Sequence, residues 1–232
     1  WRFQRQNIPI ARGGVAKNLK QALKSFQDLH KTVITKPVTG SRGRHTTIHI
    51  NTEKELAQGF VVAKQLSPWV VVQEELAGSV YRATVVGGKL IAVLRRDPAG
   101  VAGDGARSIR QLLEKENKNP LRQGPLFQRL PVDAEAEKEL SRQNLIWESI
   151  PAEGVFIALG TKTSRGRGGA LVDATDSVQA DNKVLFEKIG AVLADPLVGI
   201  DFIIADIKKS WRETASCGVI ECNSLPFIDL HH

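Results

Sequence analysis

Val80-Tyr81-Arg82-Ala83-Thr84-Val85-Val86-Gly87-Gly88-Lys89-Leu90-Ile91-Ala92-Val93-Leu94-Arg95-Arg96 reads as two β-branched, apolar strands flanking a Gly-Gly pair. A two-residue hairpin turn needs positive φ at both central positions, which glycine adopts without a Cβ clash. Upstream, Leu19, Ala22, Leu23, Phe26 and Leu29 recur at the spacing of one helical face within Val15 to Leu29. Thr32 to Thr35 is a short strand that Lys36-Pro37 is expected to break, and Gly40-Ser41-Arg42-Gly43-Arg44 is a loop. His45 to Ile50 is β-branched and alternating, which predicts a strand with His45 and His49 on one face. Thr52-x-x-Glu55 is a capping box for a helix that turns Leu56, Phe60 and Ala63 inward. Pro68 precedes Trp69-Val70-Val71-Val72, an apolar run of buried-strand type.

Downstream of the hairpin, Gly103-Asp104-Gly105 is a turn and Ser108-x-x-Gln111 caps a helix with Ile109, Leu112 and Leu113 inward. Asn117 to Pro131 carries three prolines and reads as loop, Asp133 to Gln143 as helix, and Asp181 as the cap of a helix bearing Leu185, Ile189 and Val192. Two strands, Gly199 to Ile207 and Gly218 to Asn223, close the chain. Helices and strands mixed around a central hairpin, with no internal repeat, give an α/β (α+β) protein.

The 232 residues suffice for a sizeable core, and 42% hydrophobic with 25% charged residues is a globular rather than a disordered mixture. No run of about 18 apolar residues is present, so no membrane span is expected. The opening Trp1-Arg2-Phe3-Gln4-Arg5 has neither Met nor an apolar signal core, so the expectation is a piece of a longer chain. Two cysteines, Cys217 and Cys222, lack a second pair for zinc and suit a reducing, cytoplasmic setting. The net charge of +7 suits either nucleic acid or small anions. With one Tyr and no basic block interleaved with aromatics, the cations beside glycines at Arg42, Arg44, Arg165 and Arg167 favour phosphate over a polymer, and no nucleic-acid partner is expected.

Two groups carry candidate chemistry. Lys36 ends an apolar strand ahead of the cationic glycine loop, where backbone N–H groups can approach an anion that the lysine charge complements. It is not a G-x-x-x-x-G-K-[ST] loop. Asp201 lies in Gly199-Ile200-Asp201-Phe202-Ile203-Ile204, and Glu221 and Asn223 fall on one face of the last strand with Cys222 turned away. Two carboxylates and an amide oxygen are hard ligands suited to Mg²⁺.

Taken in order, Lys-Pro and a glycine loop, Val-Val-Val-Gln-Glu-Glu-Leu-Ala-Gly, the hairpin, then Gly-Ile-Asp and Glu-x-Asn-x-x-Pro resemble the ATP-grasp ligase family over nearly the whole chain. The likeness is greatest to the modules of cyanophycin synthetase and of the bifunctional glutathione-forming ligases. Tyr81 to Ala99, Gly103-Asp104-Gly105, Asp173-Ala174-Thr175-Asp176 and Ile220 to Pro226 look like theirs.

The resemblance implies two α/β lobes clasping ATP: a first lobe over 1–72, a hinge over 73–79, and a second lobe over 80–232 with a helical insertion about 97–150. It implies an ADP-forming carboxylate–amine ligase that uses ATP and Mg²⁺ on amino acid or peptide substrates, with further domains in the same chain and a homo-oligomer left open. Lys36 would bind phosphates under a loop of Gly40, Ser41, Arg42 and Gly43; Gln73, Glu74 and Leu76 would surround adenine; Asp201, Glu221 and Asn223 would hold magnesium. Arg82 and Arg96 would face the acceptor carboxylate or the developing anion, and Arg165 and Arg167 would belong to a second glycine-rich loop at the transfer site. The sequence departs from the family at Val80, where an acid usually meets the ribose, at Arg42, where a histidine is found, and in Ser164-Arg165-Gly166-Arg167-Gly168-Gly169, which lacks the usual Asn and Ser. An alternative reading is a nucleotide-binding regulatory module without turnover.

Overall fold

The computed structural model describes residues 2–40, 43–124, 127–163, 167–224 and 226. The elements in order are α1 (Arg2–Arg5), β1 (Gly13–Ala16), α2 (Leu19–Leu29), β2 (Val33–Pro37), β3 (Thr47–Ile50), α3 (Glu53–Lys64), β4 (Val70–Glu74), β5 (Ser79–Val86), β6 (Lys89–Asp97), β7 (Gly100–Ala102) and α4 (Ile109–Asn117). They continue with α5 (Ala134–Arg142), β8 (Phe156–Ala158), β9 (Ala170–Asp173), α6 (Ala180–Leu193), β10 (Leu197–Ile204) and β11 (Gly218–Asn223). None of the described helices is long and apolar enough to cross a membrane.

The first sheet has the order β1-β4-β2-β3, antiparallel throughout. Its apolar face carries Ala16, Val33, Ile50, Val70 and Val72, which pack with Ala22, Leu56, Phe60 and Ala63 of α2 and α3. Both helices start where the sequence supplies a side-chain acceptor. Asn18 accepts from Gln21 N, and the Thr52–Glu55 capping box is present in full. The second sheet has the order β11-β10-β5-β6-β9. Its hairpin turns at Gly87 and Gly88 with φ of 55° and 79°, as the Gly-Gly pair requires. Against β10, α6 sets Phe186 edge-on to Phe202 with ring centroids 5.4 Å apart. A β7–β8 pair, α4 and α5 enclose a separate core that includes Ile109, Leu113, Leu140, Trp147 and Leu159.

Chain contacts define two compact units. One comprises Trp1–Gly78, Ala83–Ile91 and Ser177–Pro226; the other, among the described residues, comprises Ser79–Arg82 and Ala92–Asp176. The last helix and the two closing strands thus group with the N-terminal sheet.

Several local expectations are corrected. Strand β2 runs through Lys36 to Pro37, because the proline, which lacks an N–H, falls at the last ladder pair, opposite Val70. His45 and His49 have φ of 60° and 58°, so the strand shortens to Thr47–Ile50 and its alternation fails at His49. Gln179, not Asp181, caps α6; the Asp181 carboxylate accepts from Ser210 Oγ at 2.6 Å instead. The Asn117–Pro131 stretch contains a 3-10 turn at Pro120–Arg122.

Glu74 ties the end of β4 to the segment before β1. Its Oε1 accepts from Arg12 N at 2.9 Å, and its Oε2 accepts from Arg12 Nε and Nη2 at 3.2 Å and from Lys31 Nζ at 3.4 Å. Burial works to raise the Glu74 pKa, but the Arg12 hydrogen bonds and the two cations outweigh it and hold the carboxyl below its ordinary 4.5. A depressed carboxylate stabilises the fold above its unfolded-state pKa and loses that contribution as pH falls. Glu74→Gln is therefore expected to cost about 1–3 kcal/mol near neutrality, the scale of a hydrogen-bonded charge. The cost should shrink as pH drops below 4.5, which thermal melts across the acid range measure. A penalty independent of pH would contradict this role.

Candidate functional site

Residues directly opposite in an antiparallel ladder share a face, which places the side chains of the first sheet. Lys36 is opposite Val71 and Ile34 opposite Gln73, so Lys36 and Gln73 lie on the face away from the α2–α3 core. Val33 is opposite Glu74, which puts Glu74 on the other face, where Arg12 and Lys31 occupy its carboxylate. Of the two hinge side chains grouped by the sequence, only Gln73 shares the face of Lys36.

The β10–β11 ladder pairs Asp201 with Glu221 and Gly199 with Asn223. These pairings, with the two-residue period, set Asp201, Glu221 and Asn223 on one face. Beyond Asp201 the register shifts, because Phe202 pairs with Val219 and leaves Ile220 as the extra residue of a β-bulge. The Ile220 carbonyl accepts from Lys36 Nζ at 3.3 Å. The bulge therefore brings the Lys36 ammonium beside Glu221. Burial pushes the Lys36 pKa below its ordinary 10.5, and the negative charge of Glu221 partly restores it. Asp201 is 4% exposed, whereas Glu221 is open to solvent. Among the described residues no group of three or more His, Cys, Asp or Glu forms a metal cage. A set of two carboxylates and an amide leaves several positions for phosphate oxygens and water, which is how Mg²⁺ is usually held.

The remaining expected residues fall as follows. Gly40 and Gly43 are exposed in the loop after β2, Gly43 with φ of 63°, while Ser41 and Arg42 lie outside the described residues. Leu76 is half-buried just past β4, and the next residue, Ala77, is tethered by its N–H to Ser216 Oγ at 3.1 Å. Arg82 on β5 is buried in the second unit. Arg96 on β6 donates to the Thr163 carbonyl at 3.5 Å. Arg167 is exposed, with Nη2 3.4 Å from Glu135 Oε2; Arg165 lies outside the described residues.

Sequence reading missed one contact near the hinge. Glu75 Oε2 accepts from His49 N at 2.9 Å and Oε1 lies 2.8 Å from His49 Nδ1, which holds the left-handed His49 against the end of β4. The histidine's backbone conformation carries this contact, and a β-branched, alternating run hides it.

No family model matches the chain. Cyanophycin synthetase of Synechocystis is 30% identical over 235 residues, spanning 99% of this chain and 27% of that protein. The glutathione biosynthesis bifunctional protein of Mannheimia succiniciproducens is 30% identical over 223 residues, spanning 92% of this chain and 29% of that protein. The crystal structure of a bifunctional glutathione synthetase from Pasteurella multocida superposes with a TM-score of 0.64 at 28% identity, over 99% of this chain and 32% of that one. The chain has the fold of the ATP-grasp ligases. It spans about a quarter of the length of the curated relatives it matches. Ligases of the ATP-grasp family use ATP and Mg²⁺, and the Lys36 ammonium and the Asp201–Glu221–Asn223 face supply groups of the chemistry those two ligands need.

A cation held partly out of water is a liability to the fold and an asset to an anion site. Lys36→Met should leave the melting temperature unchanged or raised, because the ammonium no longer has to be desolvated. It should weaken nucleotide binding by about tenfold or more, the order of one charge-assisted contact. Melts and calorimetric titration of the same preparation check both, and unaltered nucleotide affinity would remove Lys36 from the site.

Proposed function

We propose that this ATP-grasp domain is the nucleotide-binding and transfer core of a magnesium-dependent ligase that joins a carboxylate to an amine through an acyl phosphate. The observation that carries the reading is the bulge at Ile220, which sets a half-dehydrated lysine beside a face bearing Asp201, Glu221 and Asn223.

Lys36 binds the ATP phosphates, with Gly40, Ser41, Arg42 and Gly43 closing over them. Gln73 and the backbone at Leu76 contact adenine, while Glu74 contributes through its backbone, its carboxylate being engaged by Arg12 and Lys31. Asp201, Glu221 and Asn223 hold Mg²⁺, which supplies neutralisation of the phosphate charge. A carboxylate oxygen of the substrate attacks the γ-phosphorus and ADP leaves; an amine then attacks the acyl carbon, loses a proton, and inorganic phosphate leaves. Such chemistry asks for positioning and charge compensation rather than a protein nucleophile. Arg82 and Arg96 orient the acceptor carboxylate, and the loop bearing Arg165 and Arg167 serves the second step. Amino acids or peptides are the substrate class, in keeping with relatives named for cyanophycin and glutathione synthesis.

Val80, where related ligases place an acid for the ribose, favours a second reading in which the domain binds nucleotide without turnover. Glu221→Gln separates the two. The substitution conserves volume and removes one anionic ligand, so ADP release by the whole protein with ATP and pooled amino acids should fall by about a hundredfold. Its melting temperature should change little, because relief of repulsion between Asp201 and Glu221 offsets the lost attraction to Lys36. Wild-type protein that binds ATP but releases no ADP would favour the binding module; a destabilised variant with full activity per folded molecule would leave Glu221 a structural acid.

A further inference from the structure

We propose that Arg122 is a positioning residue that sets the backbone of the second glycine-rich loop. The argument rests on the reading above that this loop serves the transfer step. Arg122 closes the 3-10 turn Pro120–Arg122 and is 8% exposed, an unusual place for a guanidinium. Its Nε donates to Glu116 Oε1 at 2.7 Å, and its Nη1 donates to the carbonyls of Gln128 at 3.1 Å and Gly168 at 3.0 Å. One planar fork thus joins the end of α4, the polar stretch after it and the glycine loop. Burying the charge is tolerable because a carboxylate and two carbonyls receive it.

The Gly168 contact differs from the other two. Gly168 has φ of 83°, and a Cβ there would lie 3.2 Å from Leu130 Cδ2 and 3.4 Å from both Ala99 Cβ and the Arg129 carbonyl. The residue is wedged against the α4–α5 core on one side and held by Arg122 through its carbonyl. A trans peptide is planar, with its N–H antiparallel to its C=O. No cis bond is present among the described residues, so fixing the Gly168 carbonyl on Arg122 directs the Gly169 N–H the opposite way. A backbone donor whose direction is fixed in advance is what stabilises charge developing on an acyl oxygen. The neighbouring Arg167 is anchored independently, to Glu135, which also accepts from Thr161 Oγ1 at 3.3 Å. The two arginines differ in place: Arg167 is exposed beside Glu135, whereas Arg122 is buried and acts through the Gly168 peptide plane.

Arg122→Lys tests this in the whole protein. A lysine keeps the charge and can meet Glu116, but its single ammonium cannot replace the fork that spans the loop carbonyl. Hydrogen exchange in peptides covering 161–171 should quicken by about tenfold or more, since a loop tether is lost. ADP release with ATP and pooled amino acids should fall by about ten- to a hundredfold, the scale of a small misplacement, with calorimetric ATP affinity held within about twofold because Lys36 and the metal face are untouched. In Arg122→Ala, millimolar guanidinium should restore part of the lost rate, which a purely stabilising residue would not permit. If the lysine variant folds poorly, Glu116→Gln loosens the same fork and is expected to show the same changes to a smaller degree. Unchanged exchange over 161–171 in a folded variant would overturn the proposal. Faster exchange with unchanged ADP release would mean that Arg122 holds a loop with no part in transfer, so the transfer reading of the loop fails while the contact itself stands.

Discussion

The proposed site hangs on one contact, the Lys36 ammonium donating to the Ile220 carbonyl at the β-bulge of the β10–β11 ladder. The bulge also ends the register in which Asp201, Glu221 and Asn223 fall on one face. Lys36 therefore meets this strand at the residue before Glu221, where the regular register that aligns the acids stops. Dehydration weakens the hold of Lys36 on its proton, while Glu221 opposes that effect. An arriving phosphate would compensate the same charge, so binding is favoured by a cost already met in folding.

The first sheet works by separating its faces. Val33, Val70 and Val72 bury against α2 and α3, leaving Lys36 and Gln73 on the opposite side. Glu74 falls on the helix side and fastens β4 to Arg12 and Lys31. Rigidity at the strand's end is then supplied by a residue that does not share the face of Lys36. Arg122 stands in the same relation to the second glycine loop, buried beneath it and gripping the carbonyl of Gly168. In each case a buried charge fixes the backbone of a neighbouring segment to which the proposed function gives a ligand.

Elements with strong local signals were legible in the sequence. The Thr52 and Ser108 capping boxes, the Gly87-Gly88 turn and the inward faces of α3 and α4 form as their spacing requires. The short strands β1, β7, β8 and β9 were not legible, because three or four residues carry too little periodicity and their pairing partners are distant in sequence. Alternation placed Glu221 and Asn223 together, but the bulge at Ile220 depends on the partner strand's register, which no local pattern encodes. Positive φ at His45 and His49 was hidden for a related reason: tertiary contact, not propensity, holds His49 against Glu75. Arg122 escaped notice because a polar, proline-bearing stretch resembles solvent-exposed loop until its burial is known.

The central claim is that the Lys36 ammonium and the Asp201–Glu221–Asn223 face act as one site, in which the lysine would meet a phosphate and the acids would hold Mg²⁺. Calorimetric titration of the protein with ATP, in Mg²⁺ and again in chelator, tests it most directly. The account predicts binding at least about tenfold tighter with Mg²⁺, because two carboxylates facing a triphosphate repel it until a divalent cation stands between them. Equal affinity in both conditions would contradict it and leave the acids of the β10–β11 ladder without a metal to hold.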